Sequence, residues 1–351
     1  MVHGTVASGF EPVRERFDRC FTELGETGAG FAAIAGGRVV ADLWGGDGWE
    51  RDSIVQVFSV SKPMAAFCVL ILADRGELAL DDRVAFHWPE FAAAGKEAVT
   101  VRQLLCHQAG MVALRAPQPQ EVLLDWDRLC ALLAAEAPWF EPGSGHAEQA
   151  IFYGHLCGEL VRRVDGRSLG TFWREEVARP WRLEFAFGLD GHEQARALDL
   201  VGEIPAHDGE LYELATANPP GAHDLEFVNG AAWRAAEIPA INGHGSARGV
   251  ARFFAGLLGG GELDGVRLVS AESVARMSAG ELTAVDPLLD EEVTWGFGVW
   301  VDDDGYGMGG LGGALAMTDP DLGLAYAYLT RRMGTHERAE AMDAAVRAAL
   351  G

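Results

Sequence analysis

Strand-like segments lie near both ends of this 351-residue chain, with a long helical stretch between them. Residues 31–35 and 38–44 are apolar runs joined by Gly36-Gly37, a typical hairpin turn. From about residue 80 the sequence is dominated by alanine, leucine, arginine and glutamate, which favour helices. Apolar and aromatic runs return late in the chain, at 293–301, 314–318 and 323–330. This order predicts an antiparallel sheet with strands from both termini and a helical insertion.

The predicted fold class is therefore α/β in the mixed α+β sense, with an antiparallel sheet flanked by helices. We assign residues 1–80 and 240–351 to an α/β domain and residues 81–239 to a mainly helical domain. The segment from about 185 to 240 is rich in polar, glycine and proline residues, which predicts a long excursion that lines or covers a pocket. Thr335 is the predicted N-cap of a final helix.

The tetrad Ser59-Val60-Ser61-Lys62 lies where an apolar run enters an apolar helical segment. Residues three apart share one helical face, so the tetrad places a hydroxyl beside an amine. Pro63 suits the first turn of a helix, where its missing N–H costs nothing. In this position the Ser59 N–H can stabilise an oxyanion, and a desolvated Lys62 can accept the Ser59 proton. The pattern is typical of nucleophilic catalysis.

A Ser-x-x-Lys match is short, and about one is expected by chance in a chain of this length. The alternative interpretation of Lys62 is therefore a solvated lysine at a helix start. Composition favours the catalytic interpretation, because Lys62 and Lys96 are the only lysines and every other basic side chain, histidine aside, is arginine. Arginine does not deprotonate and cannot serve as a base.

Charge and cysteine content limit the possible partners. The formal net charge of −24 argues against nucleic acids and anionic membranes, which both need a basic surface. We expect a small-molecule substrate, no cofactor and no metal. The sequence is compatible with either a monomer or a homo-oligomer. The sequence shows no signal-peptide pattern and no membrane-span pattern, so the prediction is cytoplasmic. Five cysteines without Cys-x-x-Cys spacing are typical of buried thiols: Cys20, Cys68, Cys106, Cys130 and Cys157.

The chain resembles the serine β-lactamase and penicillin-binding-protein superfamily, specifically the class C-like branch that includes the family VIII carboxylesterases. The resemblance rests on the order of seven segments: His3-Gly4-Thr5, Asp42-Leu43-Trp44-Gly45-Gly46, Phe58-Ser59-Val60-Ser61-Lys62, Trp88-Pro89-Glu90-Phe91, Leu104-Leu105-Cys106-His107-Gln108-Ala109-Gly110, Glu141-Pro142-Gly143-Ser144 and Asn242-Gly243-His244-Gly245. It implies a β-lactamase/transpeptidase-like fold: an α/β domain, an all-helical domain and an active site in the cleft between them.

Three family elements meet at that cleft, and only the first is matched. Ser59 and Lys62 match the nucleophile and its activating partner. The family tyrosine after the Pro-Gly loop falls on Glu148-Gln149, while Tyr153 lies five residues on in a predicted helix. The Lys-Thr-Gly or His-x-Gly element is replaced by Met308-Gly309-Gly310-Leu311. Its backbone can still contribute, so the resemblance implies an oxyanion hole from the Ser59 and Leu311 amides, next to Gly310.

Each replaced position has two interpretations. Glu148 is either a general base coupled to Lys62 or a carboxylate that is solvated or keeps Lys62 charged and inert. Gln149 is a substrate hydrogen-bonder or a surface residue at a helix start, with the second favoured. Met308 either packs and makes the pocket more apolar or has a catalytic role, with the first favoured. We interpret three histidines in family-like segments as structural hydrogen-bonders: His107, His146 and His244.

The leading functional hypothesis is acyl transfer to or from a small carboxylic ester or amide through an acyl-Ser59 intermediate, as an esterase, amidase or transacylase. By family analogy, an intracellular detoxifying or secondary-metabolite enzyme fits better than a cell-wall enzyme. One alternative is a pseudoenzyme or binding protein that has lost turnover. Another is non-hydrolytic acid–base chemistry, such as a cyclisation or rearrangement, that uses Glu148 in the same pocket.

Overall fold

The computed structural model of this chain describes residues 1–205 and 209–351. Residues 206–208, inside the excursion predicted at 185–240, lie outside the described residues. The strands are β1 Val2–Val6, β2 Gly28–Ala35, β3 Arg38–Gly46, β4 Val55–Gln56, β5 Phe185–Ala186, β6 His244–Gly245, β7 Glu262–Leu263, β8 Val266–Arg267, β9 Leu282–Asp286, β10 Glu291–Trp295, β11 Trp300–Asp302, β12 Gly305–Gly310, β13 Ala314–Asp319 and β14 Leu324–Thr330.

Most of the helices lie between β4 and β9. The α-helices are α1 Glu11–Glu23, α2 Lys62–Asp74, α3 Val84–His87, α4 Val101–Leu105, α5 Trp126–Ala135, α6 Tyr153–Asp165, α7 Leu169–Trp173, α8 Arg179–Trp181, α9 Gly191–Gln194, α10 Glu210–Ala217, α11 Leu225–Val228, α12 Ala231–Ala235, α13 Ala247–Leu258, α14 Ala271–Met277 and α15 Glu337–Leu350. Short 3₁₀ segments occupy Phe58–Ser61, Pro89–Gly95 and Gln120–Leu124. Of the described helices, none is both long and apolar enough to span a membrane.

The main sheet has nine antiparallel strands in the order β1-β3-β2-β14-β13-β12-β11-β10-β9. Its centre joins the two ends of the chain, because β2 pairs with β14 and places Phe31 opposite Tyr328. The hairpin between β2 and β3 turns at Gly36 and Gly37, whose φ angles of 54° and 74° are the positive values that a tight two-residue turn requires. The predicted mixed α/β class, with an antiparallel sheet and helices, is confirmed. The division at residues 80 and 240 stays a prediction.

Strand alternation gives the sheet two apolar faces. In β2, Phe31 and Ala33 join one core cluster and Ala32 and Ile34 join another. Helices α1 and α15 cover the first face, since their buried side chains belong to the first cluster. Helices α13 and α2 share the core on the second face. The start of α2 is thereby fixed against the sheet, beside β12.

Two sequence predictions were wrong in detail. Residues 293–301 do not form one strand, because β10 ends at Trp295 and the chain bends at Gly298, with φ of 66°, before β11. A Cβ on Gly298 would lie 3.0 Å from the Lys62 carbonyl oxygen, so this bend packs against the start of α2. Thr335 is not the N-cap of α15, since the cap is His336 and has no side-chain hydrogen bond.

Candidate active site

Ser59 lies in the 3₁₀ turn that leads directly into α2. The residue before it, Phe58, has a φ of 46°, in the left-handed region that favours glycine. Phe58 is buried, so the surrounding core holds this strained conformation. Such strain is typical of residues that direct a functional side chain. The turn leaves Ser59 partly exposed at the wall of a cleft.

Lys62 is the first residue of α2 and is completely buried. Its Nζ donates to Ser59 Oγ at 2.6 Å and lies 2.8 Å from Glu148 Oε1. Burial lowers the pKa of the Lys62 amine, and the neighbouring Glu148 carboxylate partly opposes that shift. The amine therefore bridges the hydroxyl and the carboxylate in a dry environment. The solvated alternative for Lys62 is wrong.

Glu148 lies in the loop before α6, and its side chain is only 9% exposed. Its backbone N–H donates to Asp286 Oδ2 at 2.8 Å. Asp286 is fully buried at the end of β9 and also accepts from Trp295 Nε1 at 2.9 Å. His146 Nδ1 lies 3.4 Å from the same carboxylate oxygen, without hydrogen-bond alignment. The β9–β10 hairpin therefore fixes the backbone of Glu148.

Gln149 and Tyr153 are not among the described residues that line the cleft. The Gln149 N–H donates to His107 Nδ1 at 3.0 Å, and its side chain is fully buried, so the surface position favoured from sequence is wrong. The Tyr153 hydroxyl donates to the Leu105 carbonyl at 2.9 Å, and its ring lies 4.6 Å from that of His107. The structure does not bring either side chain to Ser59, although both were candidates for substrate contact.

Strand β12 runs alongside the Ser59 turn. A Cβ on Gly310 would lie 2.3 Å from the Val57 carbonyl oxygen, so only glycine allows the two backbones to approach this closely. Met308 is 3% exposed and faces the cleft, as a packing residue does. Leu311 follows the strand and also lines the cleft. Met308, Gly310 and Leu311 thus lie at the same cleft as Ser59.

The cleft has a volume of about 770 Å³, and the excursion at 185–240 forms part of its wall. Tyr212 and Thr216 of α10 line it, with His223 from the following loop. Burial and the charge of Glu148 raise the pKa of the Tyr212 phenol. Sequence reasoning missed these residues and Asp286. The four-residue spacing of Tyr212 and Thr216, which puts them on one helical face, was the available signal.

The histidines and acids show no metal-binding arrangement within 1–205 and 209–351, where no three His, Cys, Asp or Glu side chains could hold an ion together. His244 has a structural contact, since its Nδ1 lies 2.8 Å from the Asn242 carbonyl oxygen. The groups in contact at the cleft are the Ser59 hydroxyl, the Lys62 amine and the Glu148 carboxylate.

Comparison with known proteins confirms the β-lactamase/transpeptidase-like fold that the sequence predicts. The Beta-lactamase family profile matches residues 17–351. Esterase/beta-lactamase LipL of Mycobacterium tuberculosis is 32% identical over 362 residues, covering 95% of this chain and 83% of that protein. The crystal structure of a family VIII carboxylesterase is 36% identical, with a TM-score of 0.93 over 99% of this chain and 100% of that one. A penicillin-binding protein homolog from Caulobacter crescentus is also 36% identical, with a TM-score of 0.92 and the same coverage.

Proposed function

Because this chain belongs to the beta-lactamase family, whose matched relatives include esterases, we propose that it cleaves small carboxylic esters through an acyl-Ser59 intermediate. Water or a second alcohol then takes the acyl group. The observation that carries the proposal is the continuous contact from Ser59 Oγ to Lys62 Nζ at 2.6 Å and on to Glu148 Oε1 at 2.8 Å. A nucleophile, a proton carrier and a carboxylate are thus in successive contact.

The contacts of Lys62 indicate how Ser59 can lose its proton. Lys62 Nζ lies 2.6 Å from Ser59 Oγ, and a charged ammonium has no lone pair, so a charged Lys62 gives up a proton before it accepts one. In our mechanism Lys62 passes a proton to Glu148 as it takes the Ser59 proton, and Oγ attacks the ester carbon. In water the pKa values of lysine and glutamate differ by about six units, or about 8 kcal/mol, and burial of Lys62 reduces this gap.

The same groups complete the reaction. Attack breaks the carbonyl π bond and forms an oxyanion, which the backbone N–H groups of Ser59 and Leu311 stabilise in our proposal. The proton on Glu148 returns through Lys62 to the leaving alkoxide as the C–O bond breaks. In the second half-reaction the pair takes a proton from water as the water oxygen bonds to the acyl carbon, and the acyl–Ser59 bond then breaks as that proton returns through Lys62 to Ser59 Oγ. The close approach of Gly310 to Val57 supports this role for Leu311, because it brings β12 next to the Ser59 turn.

Glu148 stands where the family resemblance predicts a tyrosine. A carboxylate holds its proton far more weakly than a phenol does, so the pair should stay active at a more acidic pH than a lysine–tyrosine pair. We expect Glu148→Gln to lower kcat/KM by about 10²- to 10⁴-fold, the usual contribution of a general base.

The test is intact-protein mass spectrometry after incubation with a p-nitrophenyl ester or a fluorophosphonate. We expect one adduct on the wild-type protein and none on Ser59→Ala. The proposal also expects a burst of p-nitrophenol equal to the enzyme concentration when deacylation is slow. Full ester hydrolysis by Ser59→Ala would refute the acyl-enzyme mechanism.

A second candidate is non-hydrolytic acid–base chemistry in the same cleft. It is favoured by one observation, the buried Glu148–Lys62 contact at a position where the family pattern has a phenol. In that case Glu148→Gln abolishes turnover while Ser59→Ala retains it. Loss of activity in both variants supports acyl transfer. Failure to form any adduct or turn over any ester would favour the binding-protein alternative.

A further inference from the structure

The charges lining the cleft are strongly unbalanced. One guanidinium, that of Arg347, faces seven carboxylates: Glu148, Glu291, Glu292, Asp302, Asp304, Glu340 and Asp343. Arg347 is already engaged, since its Nε donates to Asp343 Oδ1 at 2.7 Å and its NH1 contacts Asp319. Lys62 is likewise engaged by Glu148. No free cation is therefore available to an anionic substrate among the described lining residues.

The acids that line the cleft differ in their ion pairing from clustered acids elsewhere in the molecule. Away from the cleft, arginines neutralise clustered acids; Arg248, for example, contacts Asp42, Asp52 and Glu184. Within the described parts of the chain, five cleft carboxylates form no ion pair: Glu291, Glu292, Asp302, Asp304 and Glu340. Walls of one charge sign raise the local potential in a cleft and concentrate the opposite ion. The described wall of the cleft accordingly carries an excess of negative charge.

Apart from the backbone N–H proposed for the oxyanion, residues 308–311 supply no side chain that could bind a second anion. Met308 is a buried thioether, and Gly309, Gly310 and Leu311 offer the cleft only backbone and apolar groups. Binding a carboxylate next to unpaired carboxylates costs free energy, since like charges repel and no donor replaces its hydration. By contrast, a cation would meet both the acids and the aromatic ring of Tyr212, which also lines the cleft.

We propose that this cleft selects uncharged and cationic acyl donors and rejects donors that carry a carboxylate, including penicillins, whose carboxylate lies close to the reactive carbonyl. Glu291 and Glu292 of β10 are the specificity-determining residues, because they line the cleft next to Val293 and are unpaired. The inference rests on the proposed ester cleavage at Ser59. It extends that proposal by specifying the charge of the preferred substrate.

The experiment compares p-nitrophenyl esters that share one linear acyl chain and end in a trimethylammonium, tert-butyl or carboxylate group. We expect kcat/KM to decrease in that order, with about a tenfold gap between the first and last at low ionic strength. The gap should shrink at about 0.5 M salt, because these acids are exposed and salt screens them. Glu291→Gln/Glu292→Gln should close most of the gap. The control Glu77→Gln/Glu97→Gln removes two exposed acids outside the cleft and should leave it unchanged.

Equal or faster hydrolysis of the carboxylate ester would overturn the inference, as would a gap that the cleft variant does not reduce. If no ester is hydrolysed, the proposed ester cleavage is refuted, but the charge preference can still be tested. Fluorophosphonates with the same three end groups then report that preference through the rate at which they label Ser59. If the labelling rates do not follow the predicted order, or if no probe labels Ser59, the inference is refuted.

Discussion

The buried contact between Lys62 and Glu148 allows a quantitative prediction for stability. Replacing Glu148 by leucine leaves the Lys62 amine buried without a counter-charge. Each unit by which the lysine pKa then falls costs about 1.4 kcal/mol at pH 7 until that pKa reaches 7. The ordinary value is about 10.4, so the ceiling is about 4.6 kcal/mol, in line with the loss of about 3–5 kcal/mol typical of a broken buried pair.

The double variant Lys62→Met/Glu148→Leu removes both charges, and we expect its stability to return to within about 1 kcal/mol of the wild type. The four proteins of the cycle are the wild type, Lys62→Met, Glu148→Leu and the double variant. Urea unfolding at pH 7, with the midpoint and slope of each protein, gives the coupling free energy between the two side chains. The penalty in Glu148→Leu has a defined pH dependence. The buried lysine has the lowered pKa, so the unfolded chain binds more protons between that pKa and about 10.4, and stability rises with pH across this window. The penalty should therefore be smaller at about pH 10 than at pH 7.

The exposed pair of Arg276 and Glu272 provides the control, because its side chains are 50% and 75% exposed. Glu272→Leu should change stability by less than about 0.5 kcal/mol. A loss below about 1 kcal/mol for Glu148→Leu at pH 7, or a double variant as unstable as the sum of the single ones, would refute the ion-pair reasoning.

Three further predictions follow from other buried groups. Burial lowers the pKa of the His155 imidazole from 6.5 to about 3, so folding stability should fall as the pH drops through that range, and His155→Leu should reduce the slope by about 1.4 kcal/mol per pH unit in urea unfolding. Lys96→Met should lose about 3 kcal/mol, measured in the same way, because the buried amine donates to three backbone carbonyls. Gly310→Ala should lower kcat/KM at least tenfold, since the new Cβ would overlap the Val57 carbonyl, whereas Gly191→Ala, with no atom within 4 Å, should retain activity.

Local signals in the sequence were sufficient for the contact of Ser59 with Lys62 and for much of the sheet. The three-residue spacing of Ser59 and Lys62 predicted their contact, and Gly36-Gly37 predicted the hairpin turn between β2 and β3. The contact of Asp286 with Glu148 joins residues 138 apart, and no local pattern encodes it. The strand break at Gly298 also depends on packing against distant α2. The cytoplasmic location, the oligomeric state and the domain boundaries stay predictions.

The pairing of β2 with β14 has a consequence for synthesis of the protein. The Ser59 turn packs beside β12, which the ribosome makes about 250 residues later. At about 5–20 residues per second, the Ser59 turn is synthesised tens of seconds before the strand that completes its surroundings. During that time the inner edge of β2 has no partner, and unpaired strand edges recruit other chains. Such long-range pairing makes folding slow, so we expect the yield of this enzyme to depend on chaperones that protect the early hairpin.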